Sequence, residues 1–110
     1  MYKLCNIDIK HSQEVYKKIN QLVAALKRKF LIEQIYLFGS LAKGEMHEGS
    51  DIDLIIVGDF EGRIFERIGE VLKLTDLPVE PLVYRPAEFR RALKTNQFLK
   101  TILKDAKKLC

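Results

Sequence analysis

The segment from Glu33 to Val57, EQIYLFGSLAKGEMHEGSDIDLIIV, constrains the fold more than any other stretch. It holds two apolar runs, Ile35-Tyr36-Leu37-Phe38 and Leu54-Ile55-Ile56-Val57. Apolar runs without polar alternation suit strands buried on both faces. The first run ends in Gly39-Ser40 and the second follows Asp51-Ile52-Asp53, with the ten residues Leu41 to Ser50 between them. The pattern predicts two buried strands whose shared end carries a small polar turn and two carboxylates.

The flanking sequence supplies helices and one more strand. Residues 1–10 read as irregular or as a short edge segment. Val15, Ile19, Leu22, Val23, Leu26 and Phe30 recur at helical spacing, which predicts an amphipathic helix over His11–Phe30 with Ser12 as its N-cap. Strands follow over Glu33–Phe38 and Asp51–Val57. A second helix spans Glu61–Leu74, with Ile64, Phe65, Ile68, Val71, Leu72 and Leu74 as its buried stripe. Thr75-Asp76-Leu77-Pro78 ends it. Val79–Tyr84 reads as a strand, and Pro81 within it argues for an edge strand or a bulge. Pro86 opens a helix that turns Phe89 and Leu93 inward. Thr95 caps a last helix carrying Phe98, Leu99, Ile102, Leu103 and Ala106. The order α-β-β-α-β-α-α predicts an α/β (α+β) fold, a small mixed sheet packed against helices. With 110 residues, a single domain over 1–110 is expected.

Composition narrows the class. Hydrophobic residues are 47% and charged residues 31% of the chain, as in soluble globular proteins. No apolar run approaches the roughly 20 residues that cross a bilayer, and the polar start Met1-Tyr2-Lys3 does not resemble a signal peptide. Two isolated cysteines, Cys5 and Cys110, make no disulfide framework. The expectation is therefore a cytoplasmic protein with no membrane partner. The formal charge of +4 suits nucleotide phosphates as well as an ordinary surface. Lys100, Lys104, Lys107 and Lys108 read as a solvated C-terminal face, so nucleic acid is not the expected partner.

The chemistry concentrates at the shared strand end. Side chains at i and i+2 of a strand share a face, so Asp51 and Asp53 stand side by side while Ile52 points into the core. Two adjacent anions repel unless a cation lies between them, and a hard divalent ion such as Mg²⁺ takes carboxylate oxygens and keeps room for phosphate. A surface acid pair is the plain alternative. Gly39 lets the backbone approach a ligand closely, and the Ser40 hydroxyl can donate to phosphate oxygens, where the plain alternative is a strand-ending turn. Together the two halves place a phosphate cradle against a metal site, the combination that phosphoryl or nucleotidyl transfer needs. His47 in the loop is within reach of a nucleotide, with a solvated loop histidine as the plain alternative; His11 before the helix needs no function, and Tyr36 and Tyr84 read as packing residues.

The strings G-S-L-A-K-G-E at 39–45 and S-D-I-D-L-I-I-V at 50–57 resemble the signature of the DNA polymerase beta-like nucleotidyltransferase superfamily. They are most similar to its minimal prokaryotic members, over roughly residues 11–85. The resemblance implies the nucleotidyltransferase fold. It implies that Gly39 and Ser40 hold the nucleotide's β- and γ-phosphates and that Asp51 and Asp53 bind Mg²⁺, with two ions expected. The family's third carboxylate, a base or shared metal ligand, falls on Glu80; members usually have Asp followed by an apolar residue there, so Glu80-Pro81 departs from the pattern. Lys43 and Ser50 complete the implied nucleotide-binding set, Lys43 against phosphate and Ser50 capping the turn before Asp51. The implied activity is Mg²⁺-dependent transfer of AMP from ATP, or of another nucleotide from its triphosphate, to a hydroxyl. Minimal members resemble antitoxins that modify a tyrosine of a helical HEPN-type toxin, the type VII toxin–antitoxin arrangement. The acceptor site would then be shared with that toxin or with a second copy of the chain. The alternative is a catalytically weak or inactive module that neutralises its partner by binding.

Overall fold

The computed structural model describes the backbone of residues 4–39 and 52–110, and side chains from residue 13 within those ranges. The elements run α1 (Leu4–Lys29), β1 (Ile32–Phe38), β2 (Ile52–Gly58), α2 (Ile64–Leu72), β3 (Val79–Tyr84), α3 (Pro86–Thr95), α4 (Gln97–Lys104) and β4 (Lys107–Lys108). The sheet order is β3-β2-β1-β4. β1 runs antiparallel to β2 and to β4, while β2 and β3 are parallel. The mixed sheet flanked by helices is the expected architecture.

Each face of the sheet carries its own core. On one face Ile35, Leu37, Ile52, Leu54, Ile56, Val79 and Val83 pack against Ile19, Leu22 and Leu26 of α1, Val71 of α2 and Phe60. On the other, Ile55 and Val57 pack against Phe89 of α3 and Leu99 of α4. Central β2 is covered on both sides, which is why Leu54–Val57 needs four consecutive apolar residues. Tyr36 and Tyr84 flank the Phe89 ring, at centroid distances of 6.4 and 5.7 Å, in the packing role expected of them.

Several local readings change. The first helix begins at Leu4 rather than His11, so Ser12 lies inside it. No glycine or proline occurs before Gly39, so nothing in residues 4–10 interrupts the helix. The last helix is capped by Asn96, whose side chain accepts from the Leu99 N–H at 3.1 Å, and Thr95 instead ends α3. Ala106 lies beyond α4, and the chain then forms β4 against β1, where the Leu109 N–H donates to the Ile35 carbonyl at 2.7 Å.

The largest change is the rotation of α2. Val71 and, unexpectedly, Arg67 face inward, whereas Ile64, Phe65 and Leu72 are 46%, 83% and 44% exposed. Arg67 is held there by Glu88. Its Nη1 and Nη2 donate to the two Glu88 carboxylate oxygens at 2.6 and 3.1 Å, and its Nε donates to the Gly62 carbonyl. Nη1 also reaches the Val83 carbonyl at 3.4 Å, so the pair ties α2 to α3 around the outer edge of β3. Glu66 and Glu88 each accept the backbone N–H three residues upstream, from Arg63 and Arg85, which closes the first turn of α2 and of α3.

Candidate active site

Strand register assembles the site. Phe38 of β1 pairs with Asp53 of β2, and Asp53 pairs with Glu80 of β3. Directly paired residues share a sheet face, so Phe38, Asp53 and Glu80 form a row across three strands. Neighbouring strands lie about 4.8 Å apart, which sets the spacing of the two carboxylate-bearing backbones. The row sits one step from the start of β2 and β3. The α3–α4 layer covers Ile55 and Val57 further along the same face.

Pro81 does not disturb this arrangement. The β2–β3 register runs without a shift from Ile52↔Val79 to Val57↔Tyr84. β3 is the edge strand, as the proline predicted, and the missing N–H is tolerated there. The departure Glu80-Pro81 therefore still brings a carboxylate alongside Asp53.

Gly39 ends β1 with φ +79°, a left-handed conformation that favours glycine. A side chain there would collide with the Asp53 carboxylate, the nearest side chain to the position among the described residues. The turn backbone and Asp53 are thus packed directly against each other. Asp53 and Glu80 line a cavity of about 460 Å³ together with, among the described residues, Phe38, Ile68, Leu72, Val79, Pro81, Leu82 and Phe98.

Of the residues singled out from the sequence, the structure brings Gly39, Asp53 and Glu80 together. Ser40, Lys43, His47, Ser50 and Asp51 lie outside the described residues. Ile52 is 2% exposed, in the core as expected. Sequence reasoning did not find Phe98, Ile68 or Leu72 at the site. Phe98 and Leu72 carry a helical apolar signature that reads as core, and only their exposure marks them. The donor set suits a hard divalent cation, since Asp53 and Glu80 present carboxylate oxygens from adjacent strands.

A mixed sheet with two acids in register beside a glycine turn defines a nucleotidyl-transfer scaffold. The chain belongs to the nucleotidyltransferase domain family, whose model matches residues 19–110. Two proteins of Methanocaldococcus jannaschii, each named as a candidate protein adenylyltransferase, are similar to it. One is 51% identical over 47 residues, covering 41% of this chain and 47% of that protein. The other is 36% identical over 69 residues, covering 63% of this chain and 61% of that protein. The match thus spans about half to three-fifths of the length of these relatives. A crystal structure of a candidate nucleotidyltransferase from Sulfolobus solfataricus superposes with a TM-score of 0.62 at 28% identity, covering 76% of this chain and 78% of that one. A toxin–antitoxin complex with AMP-PNP shares the fold, with a TM-score of 0.55 at 20% identity over 83% of this chain and 72% of that one.

Proposed function

We propose that this chain is a single-domain, Mg²⁺-dependent nucleotidyltransferase that moves AMP from ATP to a hydroxyl on a partner protein. The observation that carries this reading is the register of Asp53 with Glu80, beside the turn at Gly39. The family membership and the similarity to proteins named as adenylyltransferases support it. The proposed acceptor is a tyrosine of a HEPN-type toxin, with the chain acting as the antitoxin in the cytoplasm.

Gly39 and Ser40 hold the β- and γ-phosphates, with Lys43 and Ser50 alongside. Asp51, Asp53 and Glu80 are the residues that would hold Mg²⁺. Bound there, the ion would neutralise charge developing on the phosphates and lower the cost of ionising the acceptor hydroxyl. Glu80 takes the acceptor proton. The acceptor oxygen bonds to the α-phosphorus as the bond to the β-phosphate bridging oxygen breaks, and pyrophosphate leaves on the Gly39 side.

The test is transfer of label from [α-³²P]ATP to the co-purified partner in Mg²⁺ buffer. Asp53→Asn and Glu80→Gln are expected to lower transfer at least 100-fold with the fold intact by circular dichroism. Unchanged labelling in both variants would overturn the mechanism. Tight complex formation with no label at all would identify the chain as a binding module.

A further inference from the structure

Charge is not spread evenly along this chain. Residues 85–110 carry eight Lys and Arg against two acids, a formal +6, so the residues before them sum to −2. From the sequence the C-terminal lysines read as a solvated face. Folding sets Lys100 and Lys104 beside Arg90, Arg91 and Lys94, because α3 and α4 are joined by Asn96 alone and pack on one hydrophobic cluster.

The two helices repeat one pattern ten residues apart. Phe89 and Leu99 are buried against the sheet. At about 100° per residue, Ala87, Arg90, Arg91 and Lys94 fall within an arc of about 100° on the side of α3 away from Phe89. Gln97, Lys100, Thr101 and Lys104 do the same on α4, away from Leu99. All eight are exposed; five are cations and none is an acid. Glu88, the acid of α3, is committed to Arg67. None of the five cations has an ion-pair partner among the described residues, whereas Lys18 reaches Asp76, and Lys29 and Lys73 reach Glu70. Arg90 and Lys94, like Lys100 and Lys104, stand four residues apart, where like charges repel. The helices hold a repulsion that a bound polyanion would relieve.

We propose that the outward surface of α3 and α4 binds the phosphate backbone of a nucleic-acid duplex without reading its sequence. The large apolar side chains exposed among the described residues are Leu31, Ile64, Phe65, Leu72 and Phe98, and none lies on the two outward arcs. A protein interface is built around an apolar core from which Lys is depleted, and a membrane-surface helix needs an apolar face. Cations without apolar neighbours match a row of phosphates. The arcs hold no aromatic ring on which an unpaired base could stack, so the strand is held with its bases paired. The surface shares no residue with the carboxylate cavity. The duplex is held there, not modified, and the proposal stands apart from the transfer reading.

The test is fluorescence anisotropy of the full chain with a labelled 20-base-pair DNA duplex of mixed sequence, without nucleotide, from 50 to 300 mM NaCl. Five phosphate contacts predict a slope of log K against log salt of about −4.5. Arg90→Gln, Arg91→Gln and Lys94→Gln together should bring the slope to about −1.8 and weaken binding at 50 mM NaCl at least about 100-fold. Lys100→Gln with Lys104→Gln reads the surface independently from the second helix, with an expected slope of about −2.7. Both variants should melt no lower than the parent, because they remove like-charge contacts. Lys17→Gln, Lys27→Gln and Arg28→Gln on α1, with the same change in net charge as the α3 variant, should bind within about threefold of the parent. Asp53→Asn should do so too, which separates this surface from the transfer site. No binding at 50 mM NaCl, an equal loss in the α1 variant, or loss in Asp53→Asn overturns the proposal. So does binding of the single strand or of poly-L-glutamate as tightly as the duplex, the latter pointing to an acidic protein instead.

Discussion

Replacing Gly39 with alanine tests how the turn and the carboxylate depend on each other. At φ +79°, a residue with a Cβ carries about 1–2 kcal/mol of backbone strain. The new methyl would also press on Asp53, whose Cγ lies 3.4 Å from the ideal Cβ position and whose Oδ2 lies closer still. Asp53 must rotate or the turn must open. Alanine also restricts the unfolded chain, which offsets about 0.4–1 kcal/mol. The net expectation is about 1–2 kcal/mol of lost stability, a fall in Tm of about 5–10 °C for a domain of this size. Thermal melts by calorimetry measure this for Gly39→Ala, Asp53→Ala and the double variant. The double variant should recover the steric part and keep the strain, so the two substitutions should couple by about 0.5 kcal/mol or more. MgATP affinity should fall in Gly39→Ala as Asp53 is displaced. A melt within 2 °C of the parent together with unchanged MgATP affinity would refute the reasoning.

Other outcomes follow from the same packing. Hydrogen bonds from Arg67, then the Arg85 backbone N–H, hold the Glu88 carboxyl down to about 2 from an ordinary value of 4.5. A depressed carboxyl stabilises the fold fully above its unfolded pKa, so this contribution should be complete above about pH 4.5 and lost as pH falls toward 2. Because the Glu88 side chain is 37% exposed, solvent screening reduces its worth to about 1–2 kcal/mol, and acid unfolding of Glu88→Gln should be correspondingly flatter over that range. Leu99→Ala removes a fully buried side chain from the α4 face of the sheet and should cost about 2–4 kcal/mol in urea unfolding. Asn96→Ala deletes the cap on the Leu99 N–H and should cost about 1 kcal/mol in the same measurement. Phe65→Ser, at 83% exposure, should leave the unfolding free energy measured in urea within about 0.5 kcal/mol of the parent while weakening partner binding.

The sequence alone determined the strands and much of the site's location. Leu54–Val57 has to be a doubly covered strand because four consecutive apolar side chains need both faces of a sheet buried. Pro81 pointed to an edge strand, and β3 is one, because a missing N–H disrupts pairing least where there is only one neighbour. Gly39 was legible as a turn that needs glycine, and its positive φ bears that out. What only the tertiary structure decided depends on contacts between segments distant in the chain. Local pattern put Phe65 and Leu72 on the buried side of α2, but Arg67 pairs with Glu88 some 20 residues away, and that ion pair sets the rotation. The two-residue strand β4 exists only because β1 presents a free edge to it, and nothing in Lys107-Lys108 signals a strand. The register that sets Glu80 beside Asp53 is likewise a property of two strands joined through α2. Sequence spacing supplies two carboxylates on separate strands, and only the alignment of those strands makes them one site.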